Sequence, residues 1–197
     1  MELLKKTVSG IMLTLLLISV LTLAFNIQPA KADPKTIYVD DDNTSGPWDG
    51  TLEHPYQNIT SALKASNNGD TIYVRSGVYH EQVYIHKSVR LVGENVNTTV
   101  IDGGKEIANV VIFGRADGAS IENFTVRNSA PIEPNPFWPK SGIYLCDSAN
   151  IIIRNNYIVN NHHGIAFSGS YNCTIYGNVI ANNTGSGIDN VYQYNLV

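Results

Sequence analysis

Three observations predict that this 197-residue chain is an all-β protein built as a parallel β-solenoid. The C-terminal third repeats with glycine spacings of 22 and 23 residues, leucine is nearly absent beyond Leu91, and asparagine occurs 22 times. One repeat reads GIYLCDSANIIIRNNYIVNNHH from Gly142, the next GIAFSGSYNCTIYGNVIANNTGS from Gly164, and a third begins GIDNV at Gly187. Leucine-rich repeats share that period but need a regular Leu scaffold. Here only Leu145 and Leu196 follow Leu91. Short runs such as Ile143-Tyr144-Leu145, Ile151-Ile152-Ile153 and Tyr157-Ile158-Val159 are rich in β-formers and punctuated by Gly and Asn. Each repeat is therefore read as one coil of several strands, with neighbouring coils about 4.8 Å apart.

Composition removes the competing classes. Charged residues are 15% of the chain, against about a quarter in ordinary globular proteins. Ile, Val and Tyr run throughout, which excludes a disordered tail. The net charge is −4 with no basic cluster, which excludes a nucleic-acid binder. Asn, Gly and β-branched residues form helices poorly, which excludes a helical bundle.

The elements follow in order. Residues 1–32 have the form of a secretory signal. Lys5 and Lys6 precede the uncharged apolar run Ile11–Phe25, and Ala30-Lys31-Ala32 fits a small-x-small cleavage site. The 15-residue run is short for a membrane span of about 20 residues. An uncleaved anchor is the alternative, and either reading puts the remainder outside the cytoplasm, secreted or at the cell surface. Residues 33–68 are expected to hold an N-terminal strand and a short helix over Asn58–Ser66. Asn58 would be its N-cap, Ile59, Ala62 and Leu63 its apolar face, and Asn68-Gly69 its stop. Such a helix would cover the open end of the solenoid.

Residues 69–197 are expected to coil, with about five turns between Gly69 and Asn190 and an incomplete C-terminal end. Ile143, Leu145, Ile153 and Ile158 should point inward and stack on Ile165, Phe167, Ile175 and Ile180. Asn tolerates left-handed corners and can hydrogen-bond along the axis; Asn128, Asn160 and Asn182 are the expected ladder. An earlier copy, IENFTVRNS from Ile121, fits if Ala130–Lys140 is an insertion. That segment carries Pro131, Pro134, Pro136 and Pro139 with Phe137 and Trp138, so it is no central strand. Phe137, Trp138 and Tyr144 are candidate carbohydrate contacts, the alternative being a flap over apolar surface. The last coil opens at Gly187 and exposes strand edges. These would pair with further coils of a longer chain or with another copy.

The stretches GDTIYV at Gly69, SGVYHEQVYI at Ser76, LVGEN at Leu91 and TVIDGG at Thr99, with the GIYL repeats, resemble exported right-handed parallel β-helix proteins of the pectin-lyase-like superfamily. The resemblance spans nearly all of Thr36–Asn190. It implies a right-handed coil and a surface or periplasmic setting. That superfamily includes polysaccharide lyases, hydrolases and epimerases, phage tailspikes, a periplasmic copper-accessory group and members with no assigned activity.

Residue by residue, no catalytic set carries over. Glycine register puts Ile112, Tyr144, Ala166 and Asp189 outward on one face, followed by Cys146 and Ser168, with no stack of acids. Arg127 aligns with Val159 and Ala181 and has no acidic neighbour in that register. Asn161-His162-His163-Gly164 echoes a Gly-His-Gly only faintly, and no carboxylate pair falls at hydrolase spacing. A copper site needs soft or imidazole ligands, yet the exported part lacks Met and its adjacent His162 and His163 should diverge on a solvent-facing corner. Cys146 and Cys173 are five register positions apart and are expected to remain free thiols.

No cofactor is assigned, although Asp40, Asp41, Asp42 and Asp49 could hold a structural Ca²⁺; the alternative is a solvated acidic turn. Asn43, Asn58, Asn97, Asn123, Asn172 and Asn182 head Asn-x-Ser/Thr triplets and are candidate glycosylation acceptors, though an Asn- and Thr-rich chain makes such triplets freely. The expected function is an exported or cell-surface β-helix module with polysaccharide or cell-surface components as partners and no nucleic acid. The alternative is a polysaccharide-active lyase, hydrolase or epimerase, or a fragment of one.

Overall fold

The structure is a computed structural model that describes residues 1–3, 5, 11–12, 33–131 and 139–192. The chain divides into two compact units, Met1–Asp33 and Pro34–Val197. Most of the first unit, with the expected leader, lies outside the described residues, as do Phe137 and Trp138. Among the described residues no helix is long and apolar enough to cross a membrane.

The second unit is a right-handed parallel β-helix. Strand β1 (Thr36–Val39) opens it, and five three-stranded coils follow. These are β2 (Thr71–Val74), β3 (Gly77–Tyr79) and β4 (Val83–Ile85); β5 (Arg90–Gly93), β6 (Thr99–Asp102) and β7 (Asn109–Gly114); β8 (Ser120–Glu122), β9 (Thr125–Arg127) and β10 (Ser141–Cys146); β11 (Ile152–Arg154), β12 (Tyr157–Val159) and β13 (His163–Ser168); and β14 (Thr174–Tyr176), β15 (Val179–Ala181) and β16 (Ile188–Tyr192). The first sheet is β1-β2-β5-β8-β11-β14, the second β3-β6-β9-β12-β15 and the third β4-β7-β10-β13-β16.

The core is the inward row of each sheet. Ile143 pairs with Ile165, Leu145 with Phe167, Ile153 with Ile175 and Ile158 with Ile180, as the repeat implied. Val126 pairs with Ile158, so the IENFTVRNS segment is a coil and Ala130–Lys140 is the insertion within it. The repeated glycines have a packing cause. A Cβ on Gly142 would lie 2.7 Å from Asn161 Nδ2 and 2.9 Å from Ile158 Cγ2, and one on Gly164 would strike the Gly187 carbonyl.

The corners obey one rule over three coils. Residues 115, 118, 123 and 128, their equivalents 147, 150, 155 and 160, and then 169, 172, 177 and 182 all have positive φ. Seven of these twelve are Asn and three are Gly, the residues that enter the left-handed region at least cost. At three of the four corners the next residue reaches the ladder. Asn156 Oδ1 accepts from Phe124 N–H and Asn178 Oδ1 from Asn156 N–H. Asn161 Oδ1 accepts from Ser129 N–H and Asn183 Oδ1 from Asn161 N–H. Ser148 and Ser170 hydroxyls do the same at a third corner. This corrects the expected ladder. Asn128, Asn160 and Asn182 do share one corner, but they make the bend. The amides facing inward one residue later carry the axial bonds, because only they enter a dry interior where a backbone N–H must be satisfied.

Helix α1 (Ile59–Ala65) closes the N-terminal end, with Ile59, Ala62 and Leu63 buried. The Asn58 side chain accepts from Ser61 N–H at 2.8 Å as N-cap. Glu81 accepts from the N–H groups of Ile59 and Thr60, and Lys87 Nζ donates to the carbonyls of Leu63 and Ser66. An anion at the N-terminus and a cation at the C-terminus suit the helix dipole.

Candidate functional site

The third sheet carries a mixed outward row that is aromatic at Tyr84 and Tyr144. Tyr84, Ile112, Tyr144, Ala166 and Asp189 are register partners on successive coils, as the glycine alignment implied for the last four. A cleft of about 440 Å³ lies on this face, with Tyr84, Ile112, Tyr144 and Cys146 among its walls. Tyr84 is half exposed and stacks on His86, centroids 5.7 Å apart. A Cβ on Gly114 would lie 2.5 Å from the Tyr84 hydroxyl, so glycine there lets the ring lie across the next coil. Tyr144 is only 4% exposed, so it forms floor rather than platform. Arg115 and Asp147, both in left-handed backbone (φ 55° and 46°), bound the cleft at one corner with opposite charges. Burial, with Asp147 beside it, pushes the Cys146 thiol up, so it is no activated nucleophile.

Two charged groupings lie on the other faces, and register by glycine missed both. On the first sheet Glu122 sits between Arg90 at 3.3 Å and Arg154 at 2.6 Å, and Arg154 also donates to the Tyr176 hydroxyl. Burial raises the Glu122 carboxyl, but hydrogen bonds and charge from Arg154 and then Arg90 outweigh it and hold it below its ordinary range. On the second sheet Asp102 pairs in register with Arg127, 2.7 Å apart. The expectation that Arg127 lacks an acidic neighbour is therefore wrong. It compared Arg127 only with later coils, whereas its partner lies on the coil before. Burial raises Asp102 too, and Gly104 N–H, the Asn128 amide and Arg127 more than offset it.

The remaining candidates separate. Asp40 binds Arg75 at 2.7 Å, Asp41 accepts from Val78 N–H, and Asp49 accepts from Thr51 N–H beside His54. Asp42 is exposed. Asp40, Asp41 and Asp49 are thus turned to different protein partners. His162 and His163 do not diverge, because His162 precedes β13 rather than extending it. Their rings meet edge to face at 4.3 Å. His162 Nδ1 meets Thr184 Oγ1, and His163 Nδ1 accepts from Ser186 N–H and lies 3.5 Å from Asp189. Cys146 ends β10 on the third sheet, while Cys173 precedes β14 and packs on the core. Of the Asn-x-Ser/Thr residues, Asn43 and Asn172 donate their amides to Pro55 O and Asn150, and Asn58 caps the helix.

A family model described as "Periplasmic copper-binding protein (NosD)" matches residues 63–195. No curated protein matches. Among solved structures, a pectin methylesterase in complex with hexasaccharide VII is similar with a TM-score of 0.54 and 17% identity, over 84% of this chain and 58% of that one. A GH136 lacto-N-biosidase from Eubacterium ramulus is similar with a TM-score of 0.54 and 15% identity, over 79% of this chain and 34% of that one. The chain thus spans little more than half, and about a third, of these two proteins. At such identities the likeness concerns the fold.

Proposed function

The chain belongs to the periplasmic NosD family, and from that premise we propose that it is an extracytoplasmic β-helix module that binds polysaccharide on its third-sheet face. The observation that carries the reading is the cleft between Tyr84 and Tyr144. Aromatic rings beside polar groups offer the mixed surface that a sugar needs, with an apolar face and hydroxyl rim. A protein of similar fold is described in complex with a hexasaccharide, which supports the ligand class. Phe137 and Trp138, proposed from the sequence as further contacts, lie outside the described residues. The proposed setting is secreted or cell-surface. Proposed partners are polysaccharide, cell-surface components and further coils meeting the edges of β14, β15 and β16.

The family description names copper. The residues do not fit a resident copper centre. Copper takes thiolate, thioether or imidazole ligands. Met is absent after residue 32, and the two cysteines lie apart, Cys146 at the end of β10 and Cys173 just before β14. His162 and His163 are each engaged with a hydroxyl or a carboxylate and backbone N–H. Among the described residues no three His, Cys, Asp or Glu side chains are grouped for a metal, which also weighs against Ca²⁺ at Asp40–Asp49.

A second reading, a polysaccharide-active enzyme, is favoured by Glu122 between two arginines on one face. Against it, both oxygens of that carboxylate are already engaged, Oε1 by Arg90 and Oε2 by Arg154. The test is retention on immobilised polysaccharides, with product analysis. Tyr84→Ala and Trp138→Ala should each lower retention with little change in the melting midpoint. Retention equal to the unmodified chain in both variants would remove the third-sheet site, and released oligosaccharides would favour the enzyme.

A further inference from the structure

The corner between β15 and β16 rests on two imidazoles of the coil before it. His162 and His163 stand side by side where the chain enters β13, their ring centroids 4.3 Å apart. Ser186 N–H donates to His163 Nδ1 at 3.2 Å, and Thr184 Oγ1 meets His162 Nδ1 at 3.0 Å. Gly185 N–H donates to the His162 carbonyl at 2.7 Å. A Cβ on Gly185 would lie 3.1 Å from Cε1 of each ring, so the corner backbone lies directly on the pair. Thr184, Gly185 and Ser186 are therefore seated on side chains that change charge near neutral pH.

Protonation undoes this seat in a defined way. An imidazole nitrogen accepts only while it carries no proton, so a protonated His163 Nδ1 cannot hold Ser186 N–H. Its new N–H faces Asp189 instead, 3.5 Å away on β16. Two charged rings at this separation also repel. Among the described residues, Asp189 favours charge on the pair, while Lys105, which lines the same cleft as His162, opposes it. Lys140 accepts from His163 N–H through its carbonyl, and Ser129 Oγ accepts from His162 N–H. Burial, and then His163, push the His162 imidazole below its ordinary value of 6.5 and outweigh Asp189. A folded imidazole that takes its proton less readily than the unfolded one contributes stability that is complete well above pH 6.5 and is lost as pH falls below it.

We propose that His162 and His163 form a pH-sensitive latch on the last coil. Neutral rings hold the Thr184–Ser186 corner. Protonation frees that corner and loosens β16 from β13, while β10, β11 and β12 stay paired. The device suits a module outside the cytoplasm, which meets the pH of its surroundings directly. It does not depend on what the third-sheet cleft binds.

The test is hydrogen exchange of the full chain at about pH 8 and about pH 5, the range over which imidazole changes charge, with rates corrected for intrinsic exchange. Amides of residues 184–190 should exchange about tenfold faster at the lower pH, the scale of one lost hydrogen bond. Those of Ile143–Val159 should not change. His162→Gln with His163→Gln keeps side-chain acceptors and removes the titration, so it should abolish the difference. Asp189→Asn should leave exchange at the higher pH unchanged and increase the release at the lower one, because the protonated ring loses its carboxylate. If the double variant folds poorly, nuclear magnetic resonance of the unmodified chain decides, since the Ser186 amide shift should titrate together with the His163 ring. Equal exchange at both pH values in the unmodified chain would overturn the inference. So would the same difference persisting in the double variant, or a Ser186 amide shift that does not follow the imidazole.

Discussion

At the scale of single residues, the asparagines divide into two jobs that composition cannot separate. Those at 123, 128, 150, 155, 160, 172 and 182 bend the chain, and those at 156, 161, 178 and 183 satisfy backbone donors inside it. The jobs respond differently to substitution. Asn155→Ala should cost about 1–2 kcal/mol, because an L residue with Cβ is strained in the left-handed region, whereas Asn155→Gly should be near neutral. Chemical denaturation of the two variants checks this. Ion pairs give a second prediction at this scale. The carboxyls of Glu122 and Asp102 are held below their ordinary values of 4.5 and 3.8. A lowered folded pKa adds stability that is complete above the unfolded value and is lost as pH falls through the folded one. Stability should therefore fall as pH drops below 4.5, and the acid limb should be flatter in Glu122→Gln with Asp102→Asn. Identical acid limbs would show that these pairs contribute nothing.

At the scale of elements, each strand is too short to stand alone and depends on the coil above and below. Ile158 shows the cost. It is fully buried and stacks between Val126 and Ile180. Ile158→Asp should destabilise by more than about 4 kcal/mol, because an unpaired charge would enter the core. A cooperative melt near the unmodified midpoint would contradict that placement. The glycine at the start of β10 behaves as a packing residue. Gly142→Ala should cost about 1–3 kcal/mol by overpacking against Asn161 and Ile158. Helix α1 is seven residues long and gains its stability from docking over β1, β2 and β4, with Glu81 and Lys87 clasping its ends.

At the scale of the whole molecule, order is graded along the axis. Strands β10, β11 and β12 have partners on both sides, whereas among the described residues β14, β15 and β16 pair on one side. Ile175 and Ile180 are correspondingly only partly buried. Hydrogen exchange should be slowest in Ile143–Val159 and faster in Thr174–Ala181, because solenoid coils gain stability from each neighbour. Uniform protection would contradict a nearest-neighbour account. The sequence by itself determined the coil. Spacing of Gly142, Gly164 and Gly187 gave the register, alternation of Ile gave the inward rows, and Asn58 with Ile59, Ala62 and Leu63 gave the cap. These are local or periodic signals, and a solenoid repeats local structure. Only the tertiary structure decided which side chains meet across coils of unequal length. Val100 and Thr125 are 25 positions apart and Thr125 and Tyr157 are 32 apart, against 22 between Tyr157 and Val179. Loops between strands absorb these differences without disturbing the ladder. The pairs Asp102–Arg127 and Arg90–Glu122–Arg154 depend on those loop lengths, which carry no periodic signal.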